Sequence, residues 1–211
     1  MRAPSEGRAG GFTLVELLVV IAMIAVLAAI LLAVFPRVRG MARRGQCVAH
    51  LRQLVQAARM YAQDQDRRLV PARARGAPAP SRGYTWCVLL QPYIRNEDIL
   101  ICPNDPDPKP SQQSTCLPHS YGINYELTYG VGVGAGNLTR SLTHVHEHSR
   151  QILFFEMKSE VEQMGTSWIA HGTSRIATRH NGLAEFAFLD GHVKGLKPEA
   201  TVAPVNMWVP R

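Results

Sequence analysis

Three histidines alternate along one short segment. They are His144, His146 and His148. In extended backbone, alternate side chains point to the same side, so the three imidazoles would share one face. Imidazole nitrogen is a common zinc ligand, and three protein ligands with a fourth open position are typical of a catalytic zinc site. The segment therefore predicts either a zinc site or, more simply, an exposed polar strand or loop.

A second candidate cation site lies in the run Asn-Asp-Pro-Asp-Pro that begins at Asn104. Asp105 and Asp107 supply carboxylate oxygens, which are the hard ligands that calcium prefers, and Asp190 could join them. The same residue types also form turns without any ion, because Asp and Asn side chains bond their own backbone. The segment predicts a calcium site or a simple turn.

The chain has four cysteines, Cys47, Cys87, Cys102 and Cys116. An even number allows disulfides in an oxidising compartment, with three pairings that sequence does not separate. We favour Cys102–Cys116, which would close a proline-rich loop. Zinc is the rival, but no C-x-x-C pair is present and the spacings fit no common zinc finger. Cys47 is equally explained as a small buried hydrophobic residue of a helix.

Motifs of common catalytic classes are missing from the sequence. It contains no Gly-x-Ser-x-Gly elbow, no His-Glu-x-x-His and no phosphate-binding Gly-x-x-x-x-Gly-Lys loop. We therefore expect that the protein is not an enzyme.

Positive charge is concentrated between residues 36 and 75, where ten arginines face two aspartates. Such a segment is typical of a solvated helix face lying against anionic lipid headgroups. DNA binding is the alternative, but aromatic residues are not interleaved with the arginines, so nucleic acid is not an expected partner.

The N-terminal region combines a short polar start with a long apolar run. Residues 11–16 read Gly-Phe-Thr-Leu-Val-Glu, and the nineteen residues 17–35 contain no charged side chain. At 1.5 Å per residue this helix would match a hydrocarbon core of about 30 Å. Glu16 stands at the mouth of the span, where a carboxylate needs a partner.

This pattern resembles the prepilin signal of type IV pilins and type II secretion pseudopilins. The resemblance implies that a prepilin peptidase cleaves after Gly11 and that the new amino terminus, on Phe12, is methylated. It also implies that Glu16 pairs with the Phe12 amine of a neighbouring subunit during assembly. An ordinary signal anchor is the alternative, although an anchor alone does not require this motif.

The C-terminal part carries a second resemblance. His180 is followed after nine residues by Asp190-Gly191. This spacing is similar to the H-x9-DG signature of a large pilin-like family whose members also begin with a prepilin motif. The resemblance implies an architecture and assigns no reaction, and a structural hydrogen bond between His180 and Asp190 is the simplest expectation.

The pattern of elements predicts an α+β fold. A helix over residues 12–68 should span the membrane at about 14–35 and pack its stripe of Leu51, Leu54, Ala58 and Tyr61 on a small antiparallel sheet. Proline and glycine in residues 36–45 predict a kink or a meltable segment. The Asn181-Gly182 and Asp190-Gly191 dipeptides predict a three-stranded meander of residues 174–180, 183–189 and 192–197.

Together these features predict a leader at residues 1–11, a long helix at 12–68 and an exported globular domain at 69–211. The expected function is a structural subunit of a pilus or pseudopilus, and the alternative is a membrane-anchored binding module that never polymerises. The expected partners are prepilin peptidase, like subunits and the lipid bilayer. The expected location is the bacterial inner membrane with a cytoplasmic leader, followed by a periplasmic or surface filament.

Overall fold

The computed structural model describes residues 12–72, 85–108, 117–128, 139–158, 175–202 and 206–208. The chain divides into two compact units, Met1–Met41 and Ala42–Arg211.

Helix α1, Leu14–Asp64, begins immediately after a capping box. The Glu16 carboxylate accepts hydrogen bonds from the Thr13 backbone N–H at 2.9 Å and from the Thr13 hydroxyl at 2.7 Å. The Thr13 hydroxyl in turn accepts from the Glu16 N–H at 3.3 Å. These bonds satisfy backbone donors that the first helical turn leaves without a partner. Helical geometry continues through Pro36 and the rest of the segment that the sequence predicts to kink or melt.

The second half of α1 buries the stripe that its spacing predicts. Leu51, Leu54 and Ala58 are fully buried, and Tyr61 is half-buried. Burying a leucine side chain contributes about 1.5–3 kcal/mol, so this face is a main source of stability for the second unit. The helix ends at Asp64, and Asp66 and Arg67 follow with positive φ angles of 50° and 60°.

The sheet against this helix is antiparallel, with the order β1-β2-β3-β4. Its strands are β1, Tyr121–Ile123; β2, Ile152–Glu156; β3, Ala184–Phe188; and β4, Val193–Leu196. The short helices are α2, Trp86–Leu89, and α3, Tyr125–Thr128, with 3-10 turns between the larger elements. The predicted α+β fold, a long N-terminal helix with a small antiparallel sheet, is confirmed.

The prediction that residues 174–180 form the first strand of a meander is wrong. In the described part of residues 174–180 there are isolated bridges but no strand, and β3 pairs with β2 instead. Asn181 and Gly182 do form a turn with positive φ angles of 53° and 77°, but it closes only the bridge between His180 and Leu183. A turn dipeptide fixes local geometry and does not decide which strand takes the long-range partner.

The β3–β4 hairpin forms where the sequence predicts it. Ala184 pairs with Leu196 and Ala187 pairs with Val193. The connection contains three residues, Leu189, Asp190 and Gly191, instead of two, since Phe188 N–H still donates to His192 O. Within it, Gly191 N–H donates to Phe188 O, and Gly191 has a positive φ of 101°. A left-handed glycine that ends a three-residue loop is a common alternative to the primed two-residue turn.

An irregular register in β2 decides which side chains face α1. The pairing with β3 shifts between Ile152 and Phe154. Leu153 and Phe154 consequently both join the core on the α1 side, whereas Phe155 packs in a second cluster with Trp208. Strand alternation then returns Glu156 to the α1 side of the sheet. A carboxylate is thereby placed inside the main core.

Candidate functional site

The N-terminal end of α1 is the first candidate site. Phe12 is 78% exposed, and the Glu16 carboxylate has its partner, Thr13, within its own chain. The sequence carries a signal for this cap, a threonine three residues before a glutamate at the start of an apolar run, in addition to the motif on which the predicted roles rest. Gly11 lies outside the described residues, so the roles of Gly11, Phe12 and Glu16 in processing and assembly stay predictions.

Helix α1 is also the one helix in the described ranges that is long and apolar enough to cross a membrane. None of its most apolar stretch is buried in the folded chain. Large apolar side chains are exposed along it, including Leu18, Ile24 and Leu31. Such a surface is stable in lipid or in a bundle of apolar helices and is unfavourable in water.

The second candidate site is a buried polar cluster inside the main core. It consists of Cys47, Cys102, Glu156 and His180, and the ligand atoms of all four side chains lie within 4.8 Å of one another. Cys47 comes from α1, Cys102 from the turn after a 3-10 helix, Glu156 from the end of β2 and His180 from the turn before β3. Within the part of the chain that the structure describes, no other group of three or more His, Cys, Asp or Glu side chains converges in this way.

Hydrogen bonds connect the four side chains. His180 Nε2 lies 3.0 Å from Glu156 Oε1 and 3.6 Å from Cys102 Sγ, and Cys47 Sγ lies 3.3 Å from the same Glu156 oxygen. The other carboxylate oxygen accepts from the Glu185 backbone N–H at 2.9 Å. Tyr121 donates its hydroxyl to Cys47 Sγ at 3.2 Å. Every polar atom of the Glu156 side chain therefore has a partner despite complete burial.

The pKa values of the cluster follow from these contacts. Burial acts to lower the pKa of His180, but its bonds to Cys102 and Glu156 raise the pKa to about 9. Burial likewise acts to raise the pKa of Glu156, and the bonds from His180 and Glu185 overcome it, so that the pKa is lowered. The hydrogen bond from Cys47 lowers the pKa of Cys102 to about 7, while the corresponding bond raises the pKa of Cys47. The cluster concentrates negative charge beside a protonated imidazole.

The expected bond between His180 and Asp190 is not formed. His180 pairs with Glu156, and Asp190 instead accepts from His192 Nδ1 at 2.6 Å on the surface. Asp190 also presents its backbone carbonyl to Arg59 Nη1 at 3.2 Å. The two ends of the H-x9-DG spacing thus serve different purposes: His180 belongs to the core, and Asp190-Gly191 shapes the β3–β4 turn.

The predicted calcium ligands are engaged in another contact. Asp105 Oδ2 accepts from Arg179 Nη2 at 2.6 Å, and both side chains are nearly buried. Asp107 donates its backbone N–H to the other Asp105 oxygen at 3.4 Å. A guanidinium against the carboxylate opposes a nearby cation, so this geometry favours the turn interpretation. Arg179 also donates to the Met157 carbonyl at 2.7 Å, which ties the loop to the end of β2.

The three alternating histidines do not converge. A 3-10 turn, Leu142–His144, occupies the start of their segment, and Glu147 has a positive φ of 58°. His144 and His146 are exposed, whereas His148 Nε2 lies 3.3 Å from the Leu142 carbonyl. The extended backbone on which the predicted zinc site depends is absent from this described segment.

The prediction that Cys102 forms a disulfide with Cys116 is wrong. Cys102 is a free buried thiol, as is Cys47, whereas Cys87 is disulfide-bonded. Cys116 lies outside the described residues. Cys102 is held instead by its place in the core, where its backbone N–H donates to Ser120 Oγ at 3.0 Å.

Comparison with known proteins gives one match. Residues 7–32 match the family described as "Prokaryotic N-terminal methylation motif". No curated protein and no solved structure matches the chain. The matched segment contains Phe12, the capping box and most of the apolar half of α1, and proteins with this start are structural pilin subunits and not enzymes. The matched motif and the exposed apolar helix support a membrane-anchored, type IV pilin-like or pseudopilin precursor that a prepilin peptidase processes.

Proposed function

We propose that the mature protein is a structural subunit of a type IV pilus-like or type II secretion pseudopilus filament. The observation that carries the proposal is the methylation motif at residues 7–32, which overlaps the first half of α1, where large apolar side chains such as Leu18, Ile24 and Leu31 are exposed. A bundle of like helices would cover that surface on extraction from the membrane. The burial of many such side chains would drive assembly.

The capping box gives Glu16 a role at two stages. Before cleavage, the carboxylate is satisfied within its own chain by Thr13. Cleavage after Gly11 creates a cationic amine on Phe12, and in a low-dielectric bundle that amine requires a carboxylate. In the filament, Glu16 of the neighbouring subunit then gives up its neutral partner, Thr13, and pairs with the cationic Phe12 amine. This exchange favours the filament over the stored monomer.

The body, residues 69–211 in this proposal, is exported. The disulfide at Cys87 supports an oxidising location outside the cytoplasm, where such bonds persist. The spacing from His180 to Asp190-Gly191 supports membership of the H-x9-DG pilin-like group, with the body as its extracytoplasmic domain.

Two matched variants separate the charge of Glu16 from its capping role. Glu16→Gln keeps a capping-box residue type but removes the charge, whereas Thr13→Ala removes the cap and keeps the charge. We expect both variants to be processed and inserted normally. Filament recovery by shearing or ultracentrifugation should fall strongly for Glu16→Gln and change little for Thr13→Ala.

Equal filament yield from wild type and Glu16→Gln would contradict the charge-pair mechanism. If wild-type protein is processed yet remains monomeric when its natural partner subunits are co-expressed, the alternative of a non-polymerising membrane-anchored module replaces the filament proposal.

A further inference from the structure

The buried cluster is the strongest feature of the chain that the filament proposal does not use. From its geometry we propose that the protein binds one structural zinc ion through Cys47 Sγ, Cys102 Sγ, His180 Nε2 and Glu156 Oε1. The site lies within the second unit and is independent of the N-terminal motif. It would join α1, the Cys102 turn, β2 and the turn before β3 at one point.

The spacing of the donor atoms fits a tetrahedral ion. Metal–sulfur bonds of about 2.3 Å and metal–nitrogen or metal–oxygen bonds of about 2.0–2.1 Å give tetrahedral edges of about 3.3–3.8 Å. The distances are 3.6 Å from Cys102 Sγ to His180 Nε2, 3.3 Å from Cys47 Sγ to Glu156 Oε1 and 3.0 Å from His180 Nε2 to Glu156 Oε1. Along these three edges, shifts of a few tenths of an ångström suffice for coordination, and the other three edges are no longer than 4.8 Å.

The donor set selects a borderline soft transition metal. Two thiolates, one imidazole and one carboxylate suit zinc, whereas calcium and magnesium prefer oxygen ligands only. Four protein ligands close the coordination shell and leave no position for water, which is typical of a structural site. The ion would also balance charge, because two thiolates and a carboxylate in an apolar core are unfavourable without a cation.

Surrounding groups already orient the donors. The second carboxylate oxygen of Glu156 is fixed by the Glu185 N–H, Cys47 Sγ accepts from Tyr121, and Cys102 Sγ accepts from the Asn104 backbone N–H. The side-chain amide of Asn104 lies 3.3 Å from His180 Nδ1. The atom nearest Nδ1 is the amide nitrogen, which also donates to the Arg179 carbonyl at 3.4 Å. Zinc binding at Nε2 would move the imidazole proton to Nδ1, and the Asn104 amide would then have to turn its oxygen toward Nδ1 to accept from it. Partners of this kind are typical of metal sites.

The rival outcome is a disulfide between Cys47 and Cys102. Both thiols are free and their sulfur atoms are among the atoms that lie within 4.8 Å. In an oxidising compartment an external oxidant could take two electrons and two protons from the pair and form the S–S bond. A zinc ion would protect both sulfurs from this reaction, so the two outcomes exclude each other and are distinguishable by mass.

The test uses the full-length protein, purified in detergent under anaerobic conditions through a tag without histidine and dialysed against limiting zinc. We expect about one zinc per chain by inductively coupled plasma mass spectrometry. Cys102→Ser and Glu156→Gln should bind zinc at least about 100-fold more weakly, since even changes outside the ligand shell cost about 10–100-fold. Matched controls are Glu185→Gln, a buried carboxylate paired with Arg44, and His119→Gln, a buried histidine outside the cluster. Both controls should retain zinc.

Cobalt substitution of the wild type provides a readout that does not depend on the folding of variants. Tetrahedral cobalt with two thiolates should show intense visible d–d bands and a near-ultraviolet sulfur-to-cobalt charge-transfer band, which weakens by about half in Cys47→Ser. Wild-type protein with reduced thiols that binds no zinc and gives an octahedral cobalt spectrum would overturn the proposal. So would a Cys47–Cys102 disulfide in protein taken directly from the native membrane.

Discussion

The replacement Glu156→Gln tests the cluster as a source of stability in the absence of metal. The side chain is fully buried, and its two oxygens accept from His180, Cys47 and the Glu185 backbone N–H. Glutamine has nearly the same volume but only one acceptor oxygen, so one side of the amide must place a donor against a donor. The change also removes the negative charge beside His180, whose pKa is raised to about 9 and which is therefore protonated at neutral pH.

The size of the effect follows from the burial of both partners. Breaking a buried ion pair by removing one charge costs about 3–5 kcal/mol, because the other charge remains without compensation. Loss of the His180 proton relieves part of this cost, so we expect destabilisation of about 3 kcal/mol. The control Glu185→Gln releases an arginine, Arg44, whose side chain is 41% exposed and can turn to water. That control should cost about 1 kcal/mol or less.

The assay is urea unfolding of the full-length protein in detergent, with chelator and reductant, followed by tryptophan fluorescence. The three tryptophans, Trp86, Trp168 and Trp208, all come after α1 in the sequence, so the signal reports the body and not the membrane helix. If Glu156→Gln loses no more stability than Glu185→Gln, the cluster is not the buried charge network that the structure shows.

The remaining predictions concern other parts of the chain. Gly122→Ala should destabilise the body by about 1–3 kcal/mol, because the new Cβ would lie 2.8 Å from the Phe155 ring, and a midpoint in urea equal to that of wild type would contradict this. Asp105→Asn should lower the free energy of unfolding by about 3 kcal/mol in the same assay, since it leaves the nearly buried Arg179 without this countercharge. A loss below about 1 kcal/mol would contradict this and would show that the backbone carbonyls bonded to Arg179 are enough to stabilise its charge. Gly11→Val should block processing, so that intact mass begins at Met1, and mature-sized protein from this variant would refute cleavage at that position.

Local patterns in the sequence predicted the parts of the fold that depend on spacing. Leu51, Leu54 and Ala58 recur at helical intervals and are all buried, because a helix packs one continuous face. The turn at Asp190-Gly191 was predicted because glycine tolerates positive φ. The predicted strand 174–180 failed because the described part forms only isolated bridges, and the apolar strand β2 takes that edge of β3.

The buried cluster could not be predicted from spacing. Its members lie at positions 47, 102, 156 and 180 and meet only when α1, two turns and β2 pack together. Each also had an ordinary explanation alone, such as Cys47 as a small core residue. Two signals were present: Glu156 ends an otherwise apolar strand, and His180 had no local explanation. The capping glutamate, by contrast, required only the local Thr13-x-x-Glu16 pattern.

The central claim is that this chain enters the prepilin pathway, and intact-mass spectrometry of protein from its native membrane tests it most directly. We predict a mature chain that begins at Phe12 and carries one methyl group on its amino terminus. A mass that begins at unprocessed Met1 would contradict the claim and would leave α1 as an ordinary membrane anchor.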